Sequence, residues 1–281
     1  MPLDLLHQLK ISQLKDQDPS GSIVRMKVYH GRFFEAYKCS CKELQEDSYL
    51  FNDGIPTLIL GTHRSEGFNL VVEGAEVELK SAWMCYGIIT NTYWKIPENF
   101  ADILVLRFEI SAFLDLFDGG PQDANSSPIF NFDELLSTNA ASRFYLLYQQ
   151  TTIAERIVFL DEFFASLMAR DYFPPVITEA IRFIEMKRGD VNVSDLLIYL
   201  GRSINMKWLH RNFIRYVGIN PKKYISLQRF IYSYGDFKVN RSKDLPPNLC
   251  PCGYFDYNHF CKDFKKYIGI SPSQFMKYKT N

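Results

Sequence analysis

Phe260–Met276 reads FCKDFKKYIGISPSQFM, and an earlier stretch, Leu209–Ile225, reads LHRNFIRYVGINPKKYI. The two share one pattern of apolar, Phe, Tyr, Gly-Ile, Pro and aromatic positions. Leu209 pairs with Phe260, Phe213 with Phe264, Tyr216 with Tyr267, Gly218 with Gly269, Pro221 with Pro272 and Tyr224 with Phe275, always 51 residues apart and without a gap. Two copies are too few for a solenoid, which needs at least three units to bury its faces. A small helical unit used twice has to offer the same surface twice.

Local signals around the first copy define the unit. Pro174 and Pro175 suit a helix start, and ITEAIRFIEMKR stops at Gly189. VSDLLIYL predicts a short helix with Ser194 as its N-cap. GRSI makes a turn, and Asn205 caps a third helix, MKWLHRNFIRYV, that ends at Gly218. A short helix, a tight turn and a second helix form a helix-turn-helix. PKKYISLQRFIYSYGDF then predicts a connecting helix, about 25 Å long at 1.5 Å per residue. LPPNLCPCG and a capped helix from Asp256 to Ile268 repeat the unit, and a short helix follows from Pro272.

The third helix of each unit has two faces. Met206, Leu209, Phe213 and Tyr216, and Tyr257, Phe260, Phe264 and Tyr267, are expected in the core. The opposite face carries Lys207, His210, Arg211 and Arg215 in the first copy, and Asn258, Cys261, Lys262, Lys265 and Lys266 in the second. An apolar back with a front of hydrogen-bond donors is what a helix in the major groove of DNA requires. Arg pairs bidentately with guanine and Asn with adenine, whereas Lys and Arg further along hold phosphates without specifying sequence. Two such helices let one chain enter successive major grooves, roughly 34 Å apart.

Charge divides the chain in the same way. Residues 1–171 hold 14 Lys and Arg against 24 Asp and Glu, and residues 172–281 hold 18 against 8, so a net charge of zero hides −10 and +10. The basic half is the repeated half, the electrostatic footprint expected of a nucleic-acid partner.

The acidic half reads differently. IVRMKVYH, GRFFEAYKCS, TLILGT, FNLVVEGAEVELK, MCYGIIT and ILVLRFEI are short β-branched and aromatic runs between turn signals, which predicts a small barrel or sandwich. GGPQDANSSP at 119–128 is a turn-rich break. FDELLSTNAASRFYLLYQQ and TTIAERIVFLDEFFASLMARD then switch to helical spacing, with Ile153, Ile157, Leu160, Phe164 and Leu167 on one stripe. That stripe packs either on the β domain or on a second subunit. Phe33, Phe34, Trp83 and Trp94 read as core before pocket. The division is 1–120, a β-barrel domain; 121–171, a helical linker; and 172–281, an all-α domain with two helix-turn-helix units. The fold class is α+β multidomain.

The C-terminal 110 or so residues resemble the DNA-binding domain of AraC/XylS-type transcriptional regulators. The resemblance rests on L-H-R-N-F…G-I-N-P-K-K-Y, with Arg229 on the connecting helix, and on C-G-Y-F-D-Y-N-H-F-C-K-D-F-K-K-Y-I-G-I-S-P. It implies a regulator that binds double-stranded DNA, with base contacts from Lys207, His210 and Arg211 and from Tyr257, Asn258, Cys261 and Lys262. FNDGIPTLIL, MCYGIIT and ILVLRFEISAFLDLF resemble a cupin-like sensing domain, which implies effector sensing or dimerisation. RNA polymerase and a small-molecule effector are further partners the resemblance admits, for a monomer or a homodimer. The family usually has Ala in the middle of each positioning helix, where this chain has Tyr199 and Leu249, so overpacking of about 1–3 kcal/mol is expected. Of the prolines in the second positioning segment, Pro246 and Pro247 fit a helix's first turn, but Pro251 would remove a hydrogen bond and clash one turn back, which points to a distorted second unit. The alternative reading is therefore a regulator that acts through protein partners and no longer reads DNA.

Other classes find little support. His7, His30 and His63 are scattered, without the clustered ligands of a metal-dependent cupin enzyme. Cys39/Cys41 and Cys250/Cys252 are C-x-C pairs, not zinc spacing. Relatives among alkyl-transfer repair proteins carry a reactive cysteine in a basic P-C-H-R type segment, but here the Pro-Cys step, Pro251-Cys252, falls inside the helix-turn-helix itself, which argues against that class. The expectation is no enzyme, no metal and no cofactor. No run approaches the ~18 apolar residues of a membrane span, and the first residues lack a secretory pattern, so the cytoplasm is expected.

Overall fold

DILVLRF, Asp102–Phe108, is the central strand of the N-terminal half, and it is apolar on both faces for a reason. Ile103 and Val105 turn to one side and Leu104, Leu106 and Phe108 to the other, and all are buried. A strand covered on both faces loses the apolar–polar alternation of a half-exposed one. The structure, a computed structural model, describes residues 25–40, 48–50, 53–65, 67–95, 102–117, 127–167, 174–201, 203–239 and 253–278.

The strands are β1 (Arg25–His30), β2 (Phe34–Ser40), β3 (Ser48–Leu50), β4 (Thr57–Leu60), β5 (Phe68–Val72), β6 (Ala75–Leu79), β7 (Ala82–Cys85), β8 (Thr92–Lys95), β9 (Asp102–Phe108) and β10 (Ile129–Asn131). They form a six-stranded sheet in the order β1-β2-β9-β4-β7-β10 and a four-stranded sheet in the order β3-β8-β5-β6. The expected barrel is thus two sheets that do not close. β1 and β10 remain edges of one sheet and β3 and β6 of the other. Tyr37, Ile59, Phe68, Leu70, Trp83 and Val105 fill the space between the sheets. Phe33, Phe34 and Trp83 are core, and the Trp94 side chain lies outside the described residues. Sequence reading missed β3, β8 and β10, which are only three or four residues long.

The outer face of the six-stranded sheet is covered by helices. α1 (Ile110–Leu116), α2 (Thr138–Phe144) and α3 (Ile153–Leu167) do this, with short 3-10 turns at Phe132–Leu135 and Tyr145–Gln149. The stretch 132–149, expected as one helix, is therefore broken. The α3 stripe meets the chain's own sheet: Phe164 packs edge-on against Phe34 at 5.6 Å and Phe108 at 5.1 Å. That face is used within the chain and is not free for a second subunit.

The C-terminal half comprises α4 (Pro175–Met186), α5 (Val193–Leu200), α6 (Met206–Val217), α7 (Pro221–Val239), α8 (Tyr257–Ile268) and α9 (Pro272–Tyr278). Asn192 caps α5, in place of the expected Ser194. Its side chain accepts from the Asp195 amide at 3.0 Å while Asp195 accepts from the Asn192 amide at 3.0 Å, a capping box. Tyr199 does not overpack. It lies 46% exposed and stacks on Phe183 at 3.9 Å, turned away from the helix-turn-helix core. Leu249 and the three prolines of the second positioning segment lie outside the described residues.

The halves share one apolar cluster that runs from Phe33 to Phe275. At their junction, Arg107 and Asp53 form a buried ion pair. The Asp53 carbonyl accepts from Gln228 of α7 at 2.8 Å, and Gln228 is fully buried. An ion pair taken out of water stabilises little by itself, but breaking it leaves an uncompensated buried charge.

Candidate nucleic-acid interface

Each third helix is built from its own caps. Asn205 accepts from the Trp208 amide at 2.9 Å, and Asp256 accepts from the His259 amide at 2.8 Å. At the other ends Gly218 and Gly269 take φ of +77° and +90°. That left-handed conformation is open to glycine at little cost and ends the helix. Leu209, Phe213, Phe260, Phe264 and Tyr267 are buried as expected. Met206 is not: it stands in the first turn, 48% exposed. Tyr216 and Tyr257 are half-buried.

The fronts are open to solvent. Lys207, His210, Arg211 and Arg215 are exposed on α6, and Asn258, Lys262, Lys265 and Lys266 on α8. Asn205 is exposed too, but its side-chain oxygen is engaged in the cap, so only its amide hydrogens face outward. Cys261 is half-buried and hydrogen-bonded to Tyr257; burial pushes its thiol pKa up. The Tyr257 hydroxyl is likewise raised by burial and by Cys261. Those two side chains engage each other, one turn apart.

The last turns match between the copies. Arg215 lies over the Tyr216 ring at 5.1 Å and Lys266 over the Tyr267 ring at 4.6 Å. These cations are held at the rims of the fronts, where phosphate contacts position a protein on DNA. Residues not singled out from the sequence are exposed near the two helices in the chain. Lys222 and Lys223 are exposed in the first turn of α7, and Phe255, just before the Asp256 cap, is 94% exposed. The basic pair in N-P-K-K-Y was the available signal for the first two; nothing in the sequence marked Phe255 as exposed.

α7 holds the units together over 19 residues, about 28 Å at 1.5 Å per residue. Arg229 is its joint. Its guanidinium donates to the carbonyls of Gly189 at 3.1 Å and Val191 at 3.3 Å in the first unit, and lies 6.0 Å from the Tyr254 ring in the second. Gly189 has to be glycine: a Cβ there would lie 2.3 Å from the Arg229 backbone nitrogen.

This is a β-sheet domain followed by a helical domain in which one capped, amphipathic helix ending in a left-handed glycine occurs twice. Residues 252–277 match the family model of bacterial regulatory helix-turn-helix proteins, AraC family, so the chain carries an AraC-family helix-turn-helix at its second unit. No curated protein matches the chain. Among solved structures it is similar to ToxT from Vibrio cholerae O395 bound to (E)-4-(8-methylnaphthalen-1-yl)but-3-enoic acid, with 15% identity, coverage of 87% of this chain and 98% of that one, and a TM-score of 0.46. It is similar to the AraC-like transcriptional activator CuxR at 15% identity, 72% and 80% coverage and a TM-score of 0.25. A cupin domain from Bordetella pertussis matches at 2% identity, 31% and 93% coverage and a TM-score of 0.24. Among the described residues there is no cluster of metal-ligating side chains, and no helix is long and apolar enough to cross a membrane.

Proposed function

We propose that the chain is a DNA-binding transcriptional regulator of AraC type, with residues 172–281 as its DNA-binding domain. One observation carries this reading: two helices related by a 51-residue offset each bury an apolar back and expose a cationic front, and the second lies inside the family match. Lys207, His210, Arg211, Asn258 and Lys262 are the base-reading candidates, and Arg215, Lys265 and Lys266 the phosphate contacts. Asn205, Tyr257 and Cys261 complete the proposed set of DNA contacts, Asn205 through its outward amide hydrogens. Residues 1–120 are proposed as the sensing or dimerisation domain and 121–171 as its helical cover. We read the chain as a cytoplasmic regulator rather than an enzyme.

The test is a titration of the full chain with its own upstream region and with a mixed-sequence duplex, at two salt concentrations. The expected result is binding whose logarithm falls linearly with the logarithm of salt, as released counterions require. Preference for the upstream fragment of about tenfold or more marks sequence reading, against the roughly thousandfold or greater ratio of a full operator. Absence of binding to any duplex at low salt would overturn the proposal.

A further inference from the structure

The loop between β7 and β8, Tyr86–Asn91, touches both helix-turn-helix units at corresponding positions. At its start the Tyr86 ring stacks on Phe113 at 5.3 Å and lies against the C-cap of α6: a Cβ on Gly218 would stand 2.6 Å from Tyr86 Cε1. At its end Asn91 lies against the C-cap of α8. Its amide donates to the Tyr267 carbonyl at 3.3 Å, and a Cβ on Gly269 would stand 2.3 Å from Asn91 Oδ1. Gly218 and Gly269 are the same position of the repeat. One six-residue loop of the β domain therefore meets the equivalent end of each recognition helix.

Its shape suits that task. Tyr86 is 8% exposed, its amide donates to Pro128 at 2.9 Å, and its hydroxyl is buried without a hydrogen-bond partner among the described residues. The ring is kept there for its shape. Gly87 takes φ +90°, and Asn91 takes φ +44°, a left-handed conformation that Asn tolerates better than most residues. A second contact from the same domain, the Asp53 carbonyl with Gln228, fixes the connecting helix between the two ends.

We infer that the Tyr86–Asn91 loop is the gauge of the two reading heads: Tyr86 and Asn91 are positioning residues that hold the ends of α6 and α8 at one mutual setting, so the β domain fixes the spacing at which DNA is addressed. The inference rests on the DNA reading proposed above. It places part of the control of spacing in the N-terminal half, which acts at the helix C-caps beside the ties that Arg229 of α7 makes to both units. Two heads on one frame also raise the effective concentration of the second once the first is bound.

The full chain is tested as Tyr86→Leu, Asn91→Gly and Tyr86→Phe. Asn91 is exposed and left-handed, so glycine keeps the fold while removing the side chain at Gly269. Tyr86→Phe keeps the ring and serves as the conservative control. Without DNA, amide hydrogen exchange in the last turns of α6 and α8 is expected to rise several-fold in Tyr86→Leu and Asn91→Gly respectively, and to stay unchanged in Tyr86→Phe. With DNA, affinity is compared for mixed-sequence duplexes of about 11 and about 22 base pairs, one and two turns. The longer duplex is expected to lose about tenfold of its advantage in the first two variants while the shorter one binds as before. Unchanged exchange at both helix ends, or an unchanged preference for the long duplex in folded Asn91→Gly and Tyr86→Leu, would overturn the inference. If the unaltered chain binds neither duplex, the DNA reading fails, and the exchange result alone decides whether the loop holds the helices.

Discussion

The two helix-turn-helix units share a plan but differ in how each is held. Both end in a left-handed glycine, and both place a cation over the neighbouring tyrosine. At the matched inner position the first copy has Asn212 and the second Asp263. Asn212 is buried and donates to its own helix, to the Trp208 carbonyl at 2.8 Å. Asp263 instead accepts from Tyr254 at 2.8 Å and from Ser226 of α7 at 3.4 Å. At the helix entry, Ile204 packs into the core whereas its counterpart Phe255 is 94% exposed. The apolar staple that fixes the incoming chain is thus closed in the first copy and open in the second. Both units bury an aromatic core against α7; the inner polar residue bonds within its own helix in the first, and ties α8 to Tyr254 and to α7 in the second.

The turn glycines give the strongest way to break this comparison. Gly189→Ala sets a Cβ against the backbone of Arg229 and Ile225, at 2.3–2.7 Å, in a residue with φ +72°. A loss of about 3 kcal/mol or more is expected, because backbone cannot yield and the left-handed strain adds to the clash. Gly253→Ala meets the Arg229 side chain at 3.1 Å, a flexible neighbour, and should lose about 1 kcal/mol, mainly left-handed strain. Urea unfolding of the two variants measures both; equal losses would mean that the joint treats the units alike.

The staple comes next. Ile204→Ala is expected to cost about 1–2 kcal/mol, part of the value for a fully buried isoleucine. Phe255→Ala should change stability by less than about 0.5 kcal/mol, as at an ordinary surface site. The same unfolding midpoints decide it, and a large loss at Phe255 would show that it packs in solution. If Phe255 faces DNA, its loss should instead appear in affinity.

The caps differ in chemistry. Asn205→Ala should cost about 1 kcal/mol at any pH, since the amide does not titrate. Asp256 has its carboxyl pKa lowered, first by the hydrogen bond from the His259 backbone. A depressed folded pKa gives a stabilisation that is present above the unfolded value, near 3.8, and lost as pH falls through the folded one. His259 also pairs with Asp256 at 3.1 Å, with both groups well exposed. Acidification below about pH 4 should therefore fray the start of α8 before that of α6. NMR shifts of the Trp208 and His259 amides follow the two caps separately. Simultaneous fraying would contradict the assignment.

Sequence made the repeated half legible because local signals and tertiary needs coincide there. Asn205, Gly218, Asp256 and Gly269 act as caps by their own chemistry, and the spacing of Leu209 and Phe213 states their burial. Tyr199 failed as a packing problem because its direction depends on Phe183 of another helix. Met206 failed because the helical stripe continues one turn beyond the surface that covers it. In the β half, ILVLRFEI announced a strand, yet its two apolar faces read equally as a barrel wall or as the middle layer of a sandwich. Only the helices at 110–167, which cover the outer face, distinguish these. The contacts of Tyr86 with Gly218 and Asn91 with Gly269 join residues more than 130 positions apart, and no local pattern encodes such a pairing.

The central claim, that the two cationic fronts are one DNA-reading surface, is tested most directly with two paired variants of the full chain. Lys207→Ala/Arg211→Ala and Asn258→Ala/Lys262→Ala are titrated with the upstream fragment across a salt series. The account predicts that each pair weakens binding by about 2–6 kcal/mol if both residues of the pair make base contacts. It also predicts that the salt slope becomes shallower by about one for each cation that meets a phosphate. Binding that is unchanged by both pairs, with the fold intact, would contradict it.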